Sequence, residues 1–172
     1  MTEFDPAPEV DETRRWHTGM DTFDRVYAAA LGVTSPTTYT EIAKIADCAP
    51  NTAKKHLERL ADMGIVRTET DNQRYERNEG YLEWQTASQI AADLTVEEII
   101  DRVRSLEAER KSYEAEFETA DPAAVSVFDQ TDHDTVHERM VAVSDWRGLI
   151  RDIRLYELAR RLNENDGHLV SA

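Results

Sequence analysis

Between Thr38 and Gly64 the sequence carries the start and stop signals of two short helices joined by a tight turn, and no other stretch constrains the fold as much. Thr38-x-x-Glu41 is a capping box, in which the hydroxyl accepts from the third helical N–H while the Glu41 carboxylate reaches back to the cap. Ile42, Ala43, Ile45 and Ala46 form the inward face of a helix that ends near Asp47, and Asp47-Cys48-Ala49 is the turn. Pro50 suits the first position of the next helix, where its missing N–H needs no partner. Ala53, Leu57, Leu60 and Ala61 then recur at helical spacing until Gly64. Past the glycine the period changes. Ile65 to Thr70 reads as a strand, Asp71-Asn72-Gln73 as a polar turn and Arg74 to Arg77 as the returning strand, which together make a β-hairpin.

The flanking sequence is helical. Met20, Phe23, Val26, Tyr27 and Ala30 predict a first helix over about 18–31, stopped by Gly32 and by Ser35-Pro36. Tyr81, Leu82, Trp84, Ala87, Ile90 and Ala91 predict another over about 79–93, and Thr95 with Glu98 forms a second capping box. From Val96 the apolar positions Ile99, Val103, Leu106, Tyr113 and Phe117 step by threes and fours to about 118, a heptad seam interrupted by Arg110. Residues 119–131 read as a linker. A last helix over about 132–164 carries Val136, Met140, Val143, Trp146, Leu149, Ile150, Ile153, Tyr156, Leu158 and Leu162. Thr131 and Asp134 are its expected caps, and Asn163, Asn165, Asp166 and Gly167 its stop. Two long helices with apolar seams pair either with each other as an antiparallel hairpin or against a second chain, with Arg110 setting the register. A homodimer through these helices is the expectation.

A helix-turn-helix works because one helix braces a second, whose exposed N-terminal half enters the major groove of DNA. Here Asn51, Thr52, Lys54 and Lys55 open the second helix with groups that bond bases or phosphates, and His56 and Arg59 follow. Charge placement supports the reading. The chain has 20 Lys+Arg against 35 Asp+Glu, a net charge of −15, and only 4 of the cations are lysines. Three of those, Lys44, Lys54 and Lys55, fall on these two helices, whereas from residue 86 onward ten basic residues face nineteen acidic ones. Phosphate contact with counterion release accounts for local cations on an anionic molecule. The hairpin fits a wing with Arg67, Arg74 and Arg77 as its cations. Arg74 and Arg77 are candidate backbone or minor-groove contacts, while Arg67 suits cross-strand pairing with Glu69, Asp71, Glu76 or Glu79. The expected fold is mostly α with a small β-hairpin wing: an acidic disordered arm over 1–17, a winged helix-turn-helix domain over 18–93 and a helical hairpin or coiled-coil dimerisation region over 94–172.

The stretch YTEIAKIADCAPNTAKKHLERLADMGIVRTE, residues 39–69, resembles winged helix-turn-helix regulators of the ArsR/MarR/TrmB-like type, a likeness that extends over about 20–85. The wider chain is similar to a haloarchaeal family of winged-helix proteins. The shared features are a Trp before the first helix (Trp16), the segment ERNEGYLEWQ (76–85) after the second wing strand, and a Trp-Arg pair (Trp146-Arg147) central to a long helical tail. The resemblance implies sequence-specific binding of double-stranded DNA by a dimer and control of transcription. Metal-sensing members of the ArsR type use Cys or His clusters, which one cysteine does not supply. The larger effector domain of TrmB-like sugar sensors has no counterpart here.

The remaining features narrow the function. An acidic, Lys-poor surface suits concentrated salt, because carboxylates hold water and cations while salt screens their repulsion. No apolar run reaches the ~18 residues that span a bilayer, and Met1 to Glu12 lacks the basic and apolar regions of a signal peptide, so a cytoplasmic location is expected with no membrane partner. Cys48 reads as a small apolar filler of the turn. His133 and His137 share a helical face flanked by Asp132, Asp134 and Glu138, but the internal Glu of HExxH metalloproteases is lacking and the histidines read as solvated, so no metal or other cofactor is expected. There is no GxSxG, no phosphate-cradling glycine loop and no dinucleotide fingerprint, and with 6 glycines an enzyme is not expected. No polar cluster marks a small-molecule effector pocket. Two other readings use the same helix: a winged-helix module that binds protein, and an architectural DNA binder without sequence preference.

Overall fold

The computed structural model describes residues 19–69, 73–126 and 132–169. The acidic arm, Trp16, the hairpin tip at 70–72 and Thr131 lie outside the described residues. The protein is mostly helical, with a small three-stranded antiparallel sheet and a long C-terminal helix. It divides into two compact units, one through Tyr81 and one from Leu82 onward.

The first unit contains α1 (Thr22–Leu31), β1 (Thr37–Thr38), α2 (Tyr39–Ile45), α3 (Pro50–Asp62), β2 (Val66–Thr68) and β3 (Arg74–Arg77). Asp21 caps α1 by accepting from the Asp24 N–H at 2.8 Å. The Thr38–Glu41 capping box forms as its sequence requires. The faces chosen by helical spacing converge, except that Ile45, expected inward, is 51% exposed: Val26, Ala30, Ile42, Ala43, Ala46, Ala53, Leu57 and Leu60 are all essentially inaccessible, joined by Val66 and Tyr75 of the sheet. Each large member contributes about 1.5–3 kcal/mol by leaving water. The hairpin expectation holds, and the structure adds a strand. The two residues of β1 pair with β3, Thr37 opposite Tyr75 and Thr38 opposite Arg74, so the strand order is β1-β3-β2. So short a strand has no periodicity of its own and exists only through its partner. The sheet edge is fastened further by the Arg77 N–H to the Val33 carbonyl (2.9 Å) and the Asn78 N–H to that of Ile65 (2.9 Å).

The division between the units falls inside α4 (Glu79–Asp93), whose bounds match expectation. In the second unit α5 (Val96–Phe117) begins at the Thr95–Glu98 capping box, and α6 (His133–Glu164) follows after a turn of 3-10 helix at Pro122–Ala124. Ile99 packs in one cluster with Ala159 and Leu162, Leu106 in another with Trp146, Leu149 and Ile153, and Tyr113 and Phe117 reach Trp146. Contacts that advance along α5 retreat along α6, so the two helices form an antiparallel pair within one chain.

Four local expectations are corrected. The stretch from 119 is more than a linker: Asp121 accepts from the Ala123 N–H at 2.8 Å, Pro122 is buried and Val125 joins the core. The cap of α6 is Asp132, which takes both the N–H and the hydroxyl of Thr135, in place of Asp134. Asn163 lies within α6, its Nδ2 donating to the Leu94 carbonyl at 2.9 Å, and the stop comes from left-handed Asp166 and Gly167, the latter donating to the Leu162 carbonyl. Arg110 breaks the seam as expected, but its charge is answered on its own helix by Glu107 (2.9 Å) and Glu114 (3.2 Å).

Candidate nucleic-acid interface

The junction of α2 and α3 is built by backbone hydrogen bonds. Asp47 adopts a left-handed conformation (φ 49°), which a short polar side chain tolerates. The Asp47 N–H turns back to the Lys44 carbonyl (3.3 Å) and the Cys48 N–H to that of Ala43 (3.0 Å), the two reversed bonds of a Schellman ending. That motif favours an apolar contact at the position of Cys48. Its thiol is half-buried against the core, and burial pushes its pKa up, as a filler role requires.

Arg25 of α1 locks this turn from outside. Its Nε donates to the Ala46 carbonyl at 2.9 Å, and the guanidinium also reaches the carbonyls of Asp47 (3.3 Å) and Met20 (3.4 Å). A cation on the last carbonyls of a helix satisfies acceptors that have no intrahelical partner and suits the negative end of the helix dipole. Sequence reasoning missed Arg25, because its partners in the turn, Ala46 and Asp47, lie more than twenty positions away.

Pro50 opens α3, and Ala53, Leu57 and Leu60 turn inward. The candidate residues on the other face divide three ways. Asn51 and Lys55 are exposed and Thr52 is half-buried at the start of the helix. Lys54 leans over the Tyr39 ring, its Nζ 5.5 Å from the centroid. His56 and Arg59 both turn toward Phe23 of α1: the imidazole meets the ring edge-on at 5.4 Å, and the guanidinium lies over it at 5.8 Å. The structure therefore gathers Asn51, Thr52, Lys54 and Lys55 at one end of α3 and holds His56 and Arg59 against α1. Neither Lys54 nor Lys55 forms an ion pair among the described residues.

In the hairpin, Arg74 is exposed and registers opposite Thr38. Its charge and that of Lys44 help hold the Glu41 carboxyl below the usual carboxylate range, after the larger effect of the Thr38 hydrogen bonds. Arg77 is engaged within the unit, donating from Nη1 to the Leu31 carbonyl (3.2 Å) at the end of α1 and pairing through Nε with Glu79. Arg67 donates to Asn78 Oδ1 (3.2 Å), an amide in place of Glu69, Glu76 or Glu79, while Asp71 lies outside the described residues; Asn78 in turn holds the Gly64 carbonyl at 2.8 Å. His133 and His137 are exposed, and no group of three or more His, Cys, Asp or Glu able to hold a metal occurs among the described residues. No helix of the described residues is long and apolar enough to cross a membrane.

The Family of unknown function (DUF7342) matches residues 20–164. The chain belongs to that family. The DUF7342 match opens one residue before the Asp21 cap of α1 and closes on Glu164, the last residue of α6, so the family pattern takes in both compact units. No curated protein and no solved structure matches the chain.

Proposed function

We propose that this protein binds double-stranded DNA in a sequence-dependent manner and regulates transcription, with α3 as the recognition helix of a winged helix-turn-helix and the β2–β3 hairpin as its wing. The observation that carries the reading is the exposed start of α3, where Asn51, Thr52, Lys54 and Lys55 cluster without a carboxylate partner among the described residues on a chain of net charge −15. An amide and three hydroxyl- or ammonium-bearing positions within five residues are the groups that read base edges and neutralise phosphates. The turn beneath them is fixed by the Schellman bonds and Arg25, which gives the helix the rigid seat that groove insertion needs. Arg74 is the wing residue placed for a backbone contact, whereas Arg77 and His56 are engaged within the unit and Arg59 stays exposed beside Phe23.

The protein acts as a homodimer through its second unit. α6 has 32 residues against 22 in α5, and its contacts with Phe117, the last residue of α5, run from Arg139 to Trp146. Met140 and Val141 are 49% and 45% exposed on that stretch, apolar surface that a second copy would cover. A two-fold dimer presents two recognition helices about 34–36 Å apart, one turn of DNA. The acidic, Lys-poor composition suits a cytoplasm of concentrated salt, where counterion release offers little driving force and base contacts carry more of the affinity.

The test is a binding titration of the full chain on DNA from its own promoter. The Lys54→Ala, Lys55→Ala double variant, shown to be folded by circular dichroism, is expected to lose specific binding. Single lysine variants that lose one phosphate contact should shallow the salt slope by about 1. A folded double variant with wild-type affinity overturns the proposal.

A further inference from the structure

A cleft of about 490 Å³ opens on the second unit between α5, the Pro122–Ala124 turn and α6. Its charged lining is Arg110 and Glu114 from α5, Asp121 before the turn, and Arg147 and Arg154 from α6, with Ile150 between the last two. The two carboxylates are already engaged: Asp121 accepts from the Ala123 N–H, and Glu114 lies beside Arg110. Arg110 is itself only partly satisfied. Its Nε, shut off from solvent, sits 3.2 Å from Glu114 Oε1 but outside hydrogen-bonding geometry.

Three other α6 arginines are partnered, while Arg161, outside the cleft, is exposed and forms no ion pair among the described residues. Arg151 meets Asp152 (3.4 Å), Arg160 is held by Glu157 (2.9 Å) and Glu164 (2.6 Å), and Arg139 lies over the Phe117 ring (5.1 Å). Arg147 and Arg154 are exposed and form no ion pair among the described residues. They stand two helical turns apart on one face of α6, with carboxylates abundant on both helices. What sets Arg147 and Arg154 apart is that both line one cleft. Planar guanidinium forks match carboxylate and phosphate oxygens two at a time. The volume falls within the range of small-ligand sites.

We infer that this cleft binds a small, multiply charged oxyanion, a compound bearing phosphate or paired carboxylate groups, with Arg147 and Arg154 clamping the anion and Ile150 offering apolar contact to its body. The inference is independent of DNA binding, since the site lies wholly within the second unit. The sequence did not display it because its residues come from separate elements and only folding brings them to one cleft.

Calorimetric titration of the full chain with inorganic phosphate, and separately with succinate, at constant ionic strength in KCl tests the site. Saturable binding of at least one probe is expected, at least tenfold weaker in Arg147→Gln and in Arg154→Gln and unchanged in Arg151→Gln, an exposed arginine outside the cleft. Binding of phosphate alone assigns the anion as a phosphate compound, binding of succinate alone as a dicarboxylate, and binding of both as an oxyanion site of broad acceptance. All three outcomes support the clamp. No saturable binding of either probe, or binding that survives both cleft substitutions in variants with wild-type circular dichroism, overturns it.

Discussion

Trp146 should be the costliest single residue to truncate in the second unit. It is fully buried, with its ring nearly parallel to those of Tyr113 (centroids 6.0 Å, 13°) and Phe117 (5.9 Å, 9°). A Trp side chain buries roughly 150–250 Å², about 4–6 kcal/mol at 25 cal/mol per Å². Truncations of this kind cost about 3–5 kcal/mol once the cavity partly relaxes. One term works the other way. The indole Nε1 is buried and has no hydrogen-bond acceptor among the described residues, a standing penalty of about 1–3 kcal/mol that truncation removes. Trp146→Ala is therefore expected to lose about 3 kcal/mol. Trp146→Phe, which keeps a ring and deletes the unpartnered donor, should fall within about 1 kcal/mol of the wild type. Urea denaturation followed by far-ultraviolet circular dichroism in concentrated KCl measures both, and hydrogen exchange on peptides from 96–117 and 133–164 localises the effect. A loss below about 1 kcal/mol for the alanine variant would refute the packing argument. Equal losses for the two variants, which both delete the indole N–H, would show that a phenyl ring recovers none of the packing.

Three further outcomes follow from the same physics. Thr38→Ala should cost about 1 kcal/mol through the lost cap. The Thr38 hydrogen bonds hold the Glu41 carboxyl below its unfolded value of 4.5, so their contribution is present above that pH and is lost as pH falls through the lower folded value; wild type and variant curves should converge on acidification, and a constant gap would contradict this. Arg25→Ala should cost about 1.5–3 kcal/mol and deprotect the amides of Asp47 and Cys48 to hydrogen exchange, and unchanged protection there would remove Arg25 from the role of locking the turn. With 35 carboxylates against 20 cations, the melting temperature should rise from low to molar KCl as the screening length shrinks to about 3 Å, and a flat response would refute the high-salt reading.

What was legible in the sequence shares one property: the partners lie within a few residues of each other. The Thr38–Glu41 and Thr95–Glu98 boxes, Pro50 at the start of α3 and the alternation of the hairpin are local, and each forms as expected. The apolar spacing of α5 and α6 likewise shows which faces are buried, and the structure joins those faces within the chain. The rest required distance. β1 exists only opposite β3, Arg25 and Arg77 close the ends of helices far from them in sequence, and Arg110, Arg147 and Arg154 meet only across the α5–α6 pair. The candidate site was legible as a group of residues but not in its internal division. Helical spacing places His56 and Arg59 near the outward face, and it does not reveal that Phe23 draws both toward α1.

Thr38 occupies two structural roles at once. Its backbone is the last residue of β1, registered against Arg74, and its hydroxyl and N–H form the cap of α2. The hairpin and α2 thus meet at one pivot with no slack between them. Whatever grips Arg74 tugs on the first turn of α2, and a displacement of that turn tilts the hairpin in reply, so the two should engage or release a bound surface as one mechanical piece.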